Sequence, residues 1–254
     1  MTIINRQHRF IYLKSRKSAG TSLEAHLLLN TPLGGDFWHT AEEIKKHGLP
    51  SRAPRVILPL RASDTPHILT VPAWIDRRWP WRFRINISEH HYAASLRSLL
   101  GPFWDSACKA TNVRNPWDML VSAWQWRRDG RAGTSAPIQT EFLEWLDAAL
   151  SEDVVWQERV GAYDPRRLLN PFLFIDGHAC VDVLIRQEAI DAGLQTLGER
   201  LGLDLGKLAI REKQSARRKD YRSYFDDARA ESVGHFFADV LAITGYTFDP
   251  TDAA

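Results

Sequence analysis

The chain has 254 residues, enough for one large α/β domain or two small ones and for a sizeable core. Lys+Arg 33 against Asp+Glu 31 leaves a formal charge of +2, so no global field favours a nucleic acid and any electrostatic attraction has to be local. No run approaches the roughly 18 apolar residues of a membrane span, and no apolar leader opens the chain. Cys108 and Cys180, both in apolar surroundings, read as ordinary buried thiols of a cytoplasmic protein rather than as a disulfide.

In chain order, Phe10, Ile11, Tyr12 and Leu13 form the continuous apolar run expected of a strand buried on both faces of a parallel sheet. A loop with Lys17, Ser18, Ala19 and Gly20 follows, and the Ala19-Gly20 pair lets backbone come close to a ligand. Thr21 and Glu24 fit a capping box, with Leu23, Leu27 and Leu28 then at helical spacing. A helix start offers unpaired N–H groups and positive dipole potential, so residues 18 to 22 are expected to hold a phosphate or sulfate by backbone, with Lys17 adding a mobile charge. A Walker A loop places its lysine after the last glycine; here Lys17 precedes Gly20 and no glycine lies upstream, so that motif is absent.

Residues 31 to 40 read as a loop, and Thr40 to Lys46 as a short helix begun by Thr40 and Glu43. From Leu49 to Pro80 six prolines, with Trp74 and Trp79, break any periodicity, so the span to residue 82 reads as an insertion or lid over the core. Phe83, Ile85 and Ile87 alternate with polar residues as in a half-buried strand leading to Glu89, His90 and His91. Ala107 to Val113 is a second short strand. After it, Asn115 is placed as an N-cap, Pro116 as the first helical residue and Asp118 in the first turn. Arg114 then stands at the carboxyl end of a parallel strand, where ligands gather in open α/β sheets, and its fork suits a terminal phosphate. Ser122, on the helix that follows, can add a hydrogen bond.

The second half is mainly helical. Phe142, Leu143, Leu146 and Leu150 mark one helix; Ile190, Leu194, Leu197 and Leu201 mark another, ending at Gly202. Val233, Phe236, Phe237, Val240 and Leu241 form a single stripe stopping near Gly245. Cys180 to Ile185, after the Asp176-Gly177 turn, is the best late strand. Alternating strands and helices imply a three-layer α/β/α domain around a mainly parallel sheet.

The Lys17–Ser22 segment resembles the 5′-phosphosulfate loop of sulfotransferases that use PAPS (3′-phosphoadenylyl sulfate). Val113 to Trp126 resembles the 3′-phosphate motif of the same family, Arg-Asn-Pro with a serine eight residues after the arginine. His91-Tyr92-Ala93-Ala94, Val181 to Glu188, the basic run SARRKDYRSYFDD and Gly245 to Phe248 are similar to the bacterial and carbohydrate-directed branch. The resemblance covers most of the chain except residues 31 to 82, and implies a single P-loop-like domain over residues 1 to 254. It further implies PAPS as sulfuryl donor, PAP as product, no metal, and a carbohydrate, glycolipid or small natural product as hydroxyl acceptor. It assigns Lys17 to the leaving phosphate, Ala19 to Ser22 to the 5′-phosphate, His91 to the role of base, and a late basic loop with Arg217 and Arg218 to closure over the nucleotide.

Each assignment has a plainer reading beside it. Lys17 out of context is a solvated lysine; Arg114 serves equally in an ion pair to Asp118; Ser122 serves as a small packing residue. His90 and Glu89 rival His91 as base, and the run Arg217, Arg218, Lys219 and Arg222 serves as a solvated face. Trp117, Trp124 and Trp126 read as core or as a platform for adenine, and Trp74, Trp79 and Trp81 as glue for the insertion or as stacking surface for an acceptor. A nucleotide kinase is the rival enzyme, and a nucleic-acid-binding module the rival outside catalysis; the first calls for a Walker A lysine and the second for a markedly basic chain.

Overall fold

A computed structural model of the chain describes residues 2–31, 47, 55–57, 67–69, 90–130, 138–210 and 219–249. The expected helix at 40–46, the strand at 83–87, Glu89, Trp74, Trp79, Trp81, Arg217 and Arg218 lie outside them. The chain divides into two compact units. Met1–Val113 with Pro171–Lys213 form one, and Arg114–Asn170 with Gln214–Ala254 the other.

The first unit is built on strands β1 (Ile3–Asn5), β2 (Phe10–Leu13), β5 (Cys108–Val113) and β8 (Val183–Arg186), hydrogen-bonded in the order β1-β2-β5-β8. The short strands β3 (Arg55–Ile57) and β4 (His67–Leu69) pair antiparallel inside the span read as irregular. Strands β6 (Phe174–Ile175) and β7 (His178–Ala179) flank the Asp176-Gly177 turn, whose two residues both have positive φ (51° and 78°), as a type I′ hairpin requires. In the main sheet β2, β5 and β8 run parallel, Leu13 beside Thr111 and Val113 beside Arg186; β1 is antiparallel to β2.

Side chains alternate across this sheet with the strand period of two. Phe10 and Tyr12 join Leu23, Leu27 and Leu28 of the Gly20–Asn30 helix and Leu194 and Leu197 of the Ile190–Leu201 helix on one face. Ile11 and Leu13 meet Ala93, Leu96 and Leu100 of the Ala93–Leu100 helix, with Trp104 and Phe172, on the other. Helices on both faces explain why β2 reads as an unbroken apolar run: every position of it is buried. On one side the contact is close enough to demand a glycine. A Cβ on Gly193 would lie 2.9 Å from the Cα of Ile185, so the Ile190–Leu201 helix rests directly on β8. That helix ends at Gly202 in left-handed conformation (φ 66°), as its sequence implies.

The second unit is helical. Asn115 caps the Pro116–Arg128 helix by accepting from the Trp117 N–H at 3.1 Å, with Pro116 at the first helical position and Asp118 in the first turn. The Phe142–Leu150 helix has the expected bounds, and its Phe142 ring meets Trp124, Tyr224 and Phe225 edge to face at 5.6, 5.6 and 5.0 Å. Trp117 and Trp124 are core, their indole N–H groups donating to the carbonyls of Ala230 and Thr140 at 2.9 Å each. The late stripe is two helices, Asp227–Phe236 and Ala238–Thr244, jointed at Phe237 (φ −104°, ψ 21°). The joint leaves the apolar face intact, because Val233, Phe237 and Val240 all remain buried.

Candidate functional site

Between the end of β2 and the Gly20–Asn30 helix the chain makes a loop with two unusual backbone positions. Lys17 (φ 62°) and Ala19 (φ 58°) are both left-handed, and Ser18 between them is not. Neither is glycine, so each carries a steric cost of about 1–2 kcal/mol, and conformations of that kind persist where surrounding contacts over-determine them. Alternating handedness turns successive N–H groups toward one side, the geometry of an anion-binding nest. Ala19 is also the helix N-cap and offers no side-chain acceptor, so the loop delivers the donors of the first turn at the positive end of the helix dipole. Ser18, Gly20, Thr21 and Ser22 are buried, whereas Lys17 and Ala19 are partly exposed.

One expectation about this loop changes. The Thr21–Glu24 capping box does not form: Glu24 is fully buried and pairs with Lys14 at 2.8 Å beneath the loop. Gly20 itself is not left-handed. A Cβ there would sit 2.7 Å from Lys14 Cγ and 3.3 Å from Asn112 Nδ2, so its bareness makes room for the buried lysine. Lys14, which the sequence did not single out, is therefore an internal charge neutralised by Glu24, and the cations that the loop presents toward solvent are exposed Arg16 and half-buried Lys17.

The stem of the loop is tied to β5 by Asn112. Its Oδ1 accepts from the Tyr12 hydroxyl at 2.8 Å and from the Ser15 N–H at 3.1 Å. Its Nδ2 donates to the Ser18 carbonyl and to Ser18 Oγ, each at 2.7 Å. Ser15 Oγ, 2.6 Å from Ser18 Oγ, also donates to the Asn112 carbonyl. Burial and the Glu24 charge push the Tyr12 phenol well above its ordinary range, so it stays a donor.

The two histidines separate by partner. His90 Nδ1 lies 2.9 Å from the Lys14 carbonyl, at the foot of this loop, and its ring meets Phe172 edge to face at 6.3 Å. A carbonyl only accepts, so Nδ1 carries the proton and Nε2 is the basic nitrogen of the neutral ring. His91 Nε2 faces Ser95 Oγ at 2.9 Å, and burial holds that imidazole below its ordinary pKa. The resemblance assigns the role of base to His91, with His90 and Glu89 as its rivals, and the ring that meets the loop is that of His90.

In the other unit, Arg114 is buried and held by Asp118, whose Oδ2 lies 2.7 Å from both Nε and Nη2. The plainer reading of this arginine is thus present, and it orients the guanidinium on the helix start. Ser122, half-buried, is one helical turn beyond Asp118 and so on the same side of the Pro116–Arg128 helix. Asn115 Nδ2 donates to the Thr247 carbonyl at 2.9 Å and lies 3.3 Å from the Tyr221 hydroxyl, which in turn donates to the Phe248 carbonyl at 2.5 Å. The C-terminal segment singled out in the sequence is therefore fastened to the Arg-Asn-Pro motif. Among the described residues no group of three or more His, Cys, Asp or Glu side chains is arranged to hold a metal ion. No helix there is long and apolar enough to cross a membrane.

No family model matches the sequence, and no curated protein matches it either. Solved structures do. Mouse sulfotransferase SULT7A1, in complex with PAP, is similar over 95% of this chain and 87% of its own, with a TM-score of 0.50 and 15% identity. A sulfotransferase from Alicyclobacillus acidocaldarius covers 94% of this chain and 96% of its own, with a TM-score of 0.44 and 15% identity. The fold of this chain is the P-loop-like sulfotransferase fold, a mainly parallel sheet flanked by helices.

Proposed function

We propose that the chain is a PAPS-dependent sulfotransferase acting on a hydroxyl of a carbohydrate, glycolipid or small natural product. The observation that carries this reading is the loop after β2, where left-handed Lys17 and Ala19 feed a helix start and His90 hangs on the loop's foot. The nest and the N–H groups of residues 19 to 22 suit the 5′-phosphate end of the donor. Arg114, the residue after β5, with Ser122 one turn past Asp118, is assigned to the 3′-phosphate, and Arg217 and Arg218 are assigned on sequence grounds to closure over the nucleotide.

His90 is the better placed of the two histidines for proton transfer, because its tautomer is set by the loop that holds the donor. In the reaction the acceptor oxygen bonds to sulfur as the bridge from sulfur to the 5′-phosphate breaks. The electron pair leaves on the phosphate oxygen, and the hydroxyl proton passes to Nε2 of His90. Lys17 stabilises the charge gathering on that leaving oxygen.

Thermal unfolding tests the reading. Adenosine 3′,5′-bisphosphate should raise Tm without Mg²⁺, by several degrees at saturating concentration. Stabilisation by Mg-ATP alone would instead make the protein a kinase-like phosphotransferase.

A further inference from the structure

Asn112 is fully buried near the carboxyl end of β5, a strand in which Ala110 and Val113 are apolar core, and its side chain uses its whole hydrogen-bonding capacity. Two bonds enter Oδ1, from Tyr12 and from the Ser15 N–H; two leave Nδ2, both to Ser18. The orientation of the amide is unambiguous, since the Ser15 N–H only donates and the Ser18 carbonyl only accepts. Ser15 and Ser18 are thereby pinned to one side chain, and Arg16 and Lys17 form the two-residue arch between the pins. An arch that short, closed by fixed ends, accounts for the left-handed backbone of Lys17, and fixing Ser18 also sets where left-handed Ala19 begins the helix.

We infer that Asn112 is a positioning residue that holds the 15–18 loop in its anion-binding shape, so that the grip on the donor's 5′-phosphate depends on a side chain buried away from the ligand. Tyr12 is its support: the hydroxyl orients the amide from the opposite side, and burial together with Glu24 keeps that hydroxyl protonated. Rigid donors favour a bound anion because no free energy is then spent on ordering the loop. This inference rests on the donor-site reading above but adds a residue that touches no part of the nucleotide.

The test compares two ligands on the full chain by calorimetry. Adenosine 3′,5′-bisphosphate carries the 5′-phosphate and adenosine 3′-monophosphate lacks it, so the ratio of their Kd values isolates what the loop contributes. In the unaltered protein the bisphosphate binds more tightly; equal affinities would overturn the donor-site reading itself, and the role of Asn112 with it. In Asn112→Ala the ratio falls by about tenfold or more, while Kd for the monophosphate stays within about twofold. A preserved ratio, or an equal loss for both ligands, overturns the inference and leaves the donor-site reading standing. Should Asn112→Ala not fold, Tyr12→Phe decides by the same ratio: a fall confined to the bisphosphate supports the inference, and an unchanged ratio overturns it.

Discussion

Ala19 and Gly20 illustrate how adjacent small residues answer to opposite demands. Ala19 carries the steric cost of left-handed backbone, so Ala19→Gly removes that cost while adding unfolded-chain entropy, which offsets part of the gain. Gly20→Ala drives a methyl group to 2.7 Å from the buried Lys14 stem, within reach of the Asn112 amide. Denaturant unfolding should show Ala19→Gly within about 1 kcal/mol of the parent and Gly20→Ala destabilised by about 1–3 kcal/mol. Equal effects would mean that Lys14 is not packed as described. The histidines give a second residue-scale contrast. With PAPS and a competent acceptor, His90→Ala should lower kcat by about 10²–10⁴. His91→Ala, whose Nε2 faces Ser95 on the adjoining helix, should lose less than about tenfold. The reverse order would return the role of base to His91.

At the level of elements, the Ile190–Leu201 helix depends on one glycine. At Gly193 the clash is with backbone, the Cα of Ile185 at 2.9 Å, so neither side can yield by changing rotamer. Gly193→Ala should therefore cost about 1–3 kcal/mol in chemical denaturation despite the higher helix propensity of alanine; a neutral or stabilised variant would contradict the close seating of helix on strand. Which elements were legible in the sequence follows from the same physics. Helices with one apolar face and a marked end, such as Phe142–Leu150 and the one closed by Gly202, could be read from spacing alone. So could the Asn115-Pro116 start, because its cap is local. What escaped was set by partners distant in the chain. Glu24 looked like a capping residue but is taken by Lys14, Gly20 is bare because of a neighbouring stem, and Phe237 joints a stripe without disturbing its period. Asn112 left one trace, a polar amide amid the buried run of β5; its partners Ser15 and Ser18 lie almost a hundred positions earlier, beyond any periodicity argument.

For the molecule as a whole, the proposed function draws on two features of different kinds: the loop at the end of β2 with left-handed Lys17 and Ala19, and an arginine fork following β5 that is oriented by Asp118. A near-neutral chain with local cationic features suits a small doubly phosphorylated ligand better than a polyanion. The fold shared with sulfotransferases supplies the frame, and chemistry on a shared frame has to be established at its site. The most direct measurement is a crystal structure of the full chain with adenosine 3′,5′-bisphosphate. The account predicts the 5′-phosphate on the N–H groups of residues 19 to 22 beside Lys17, and the 3′-phosphate on Arg114 and Ser122; a nucleotide bound elsewhere, or none bound under saturating conditions, would contradict it.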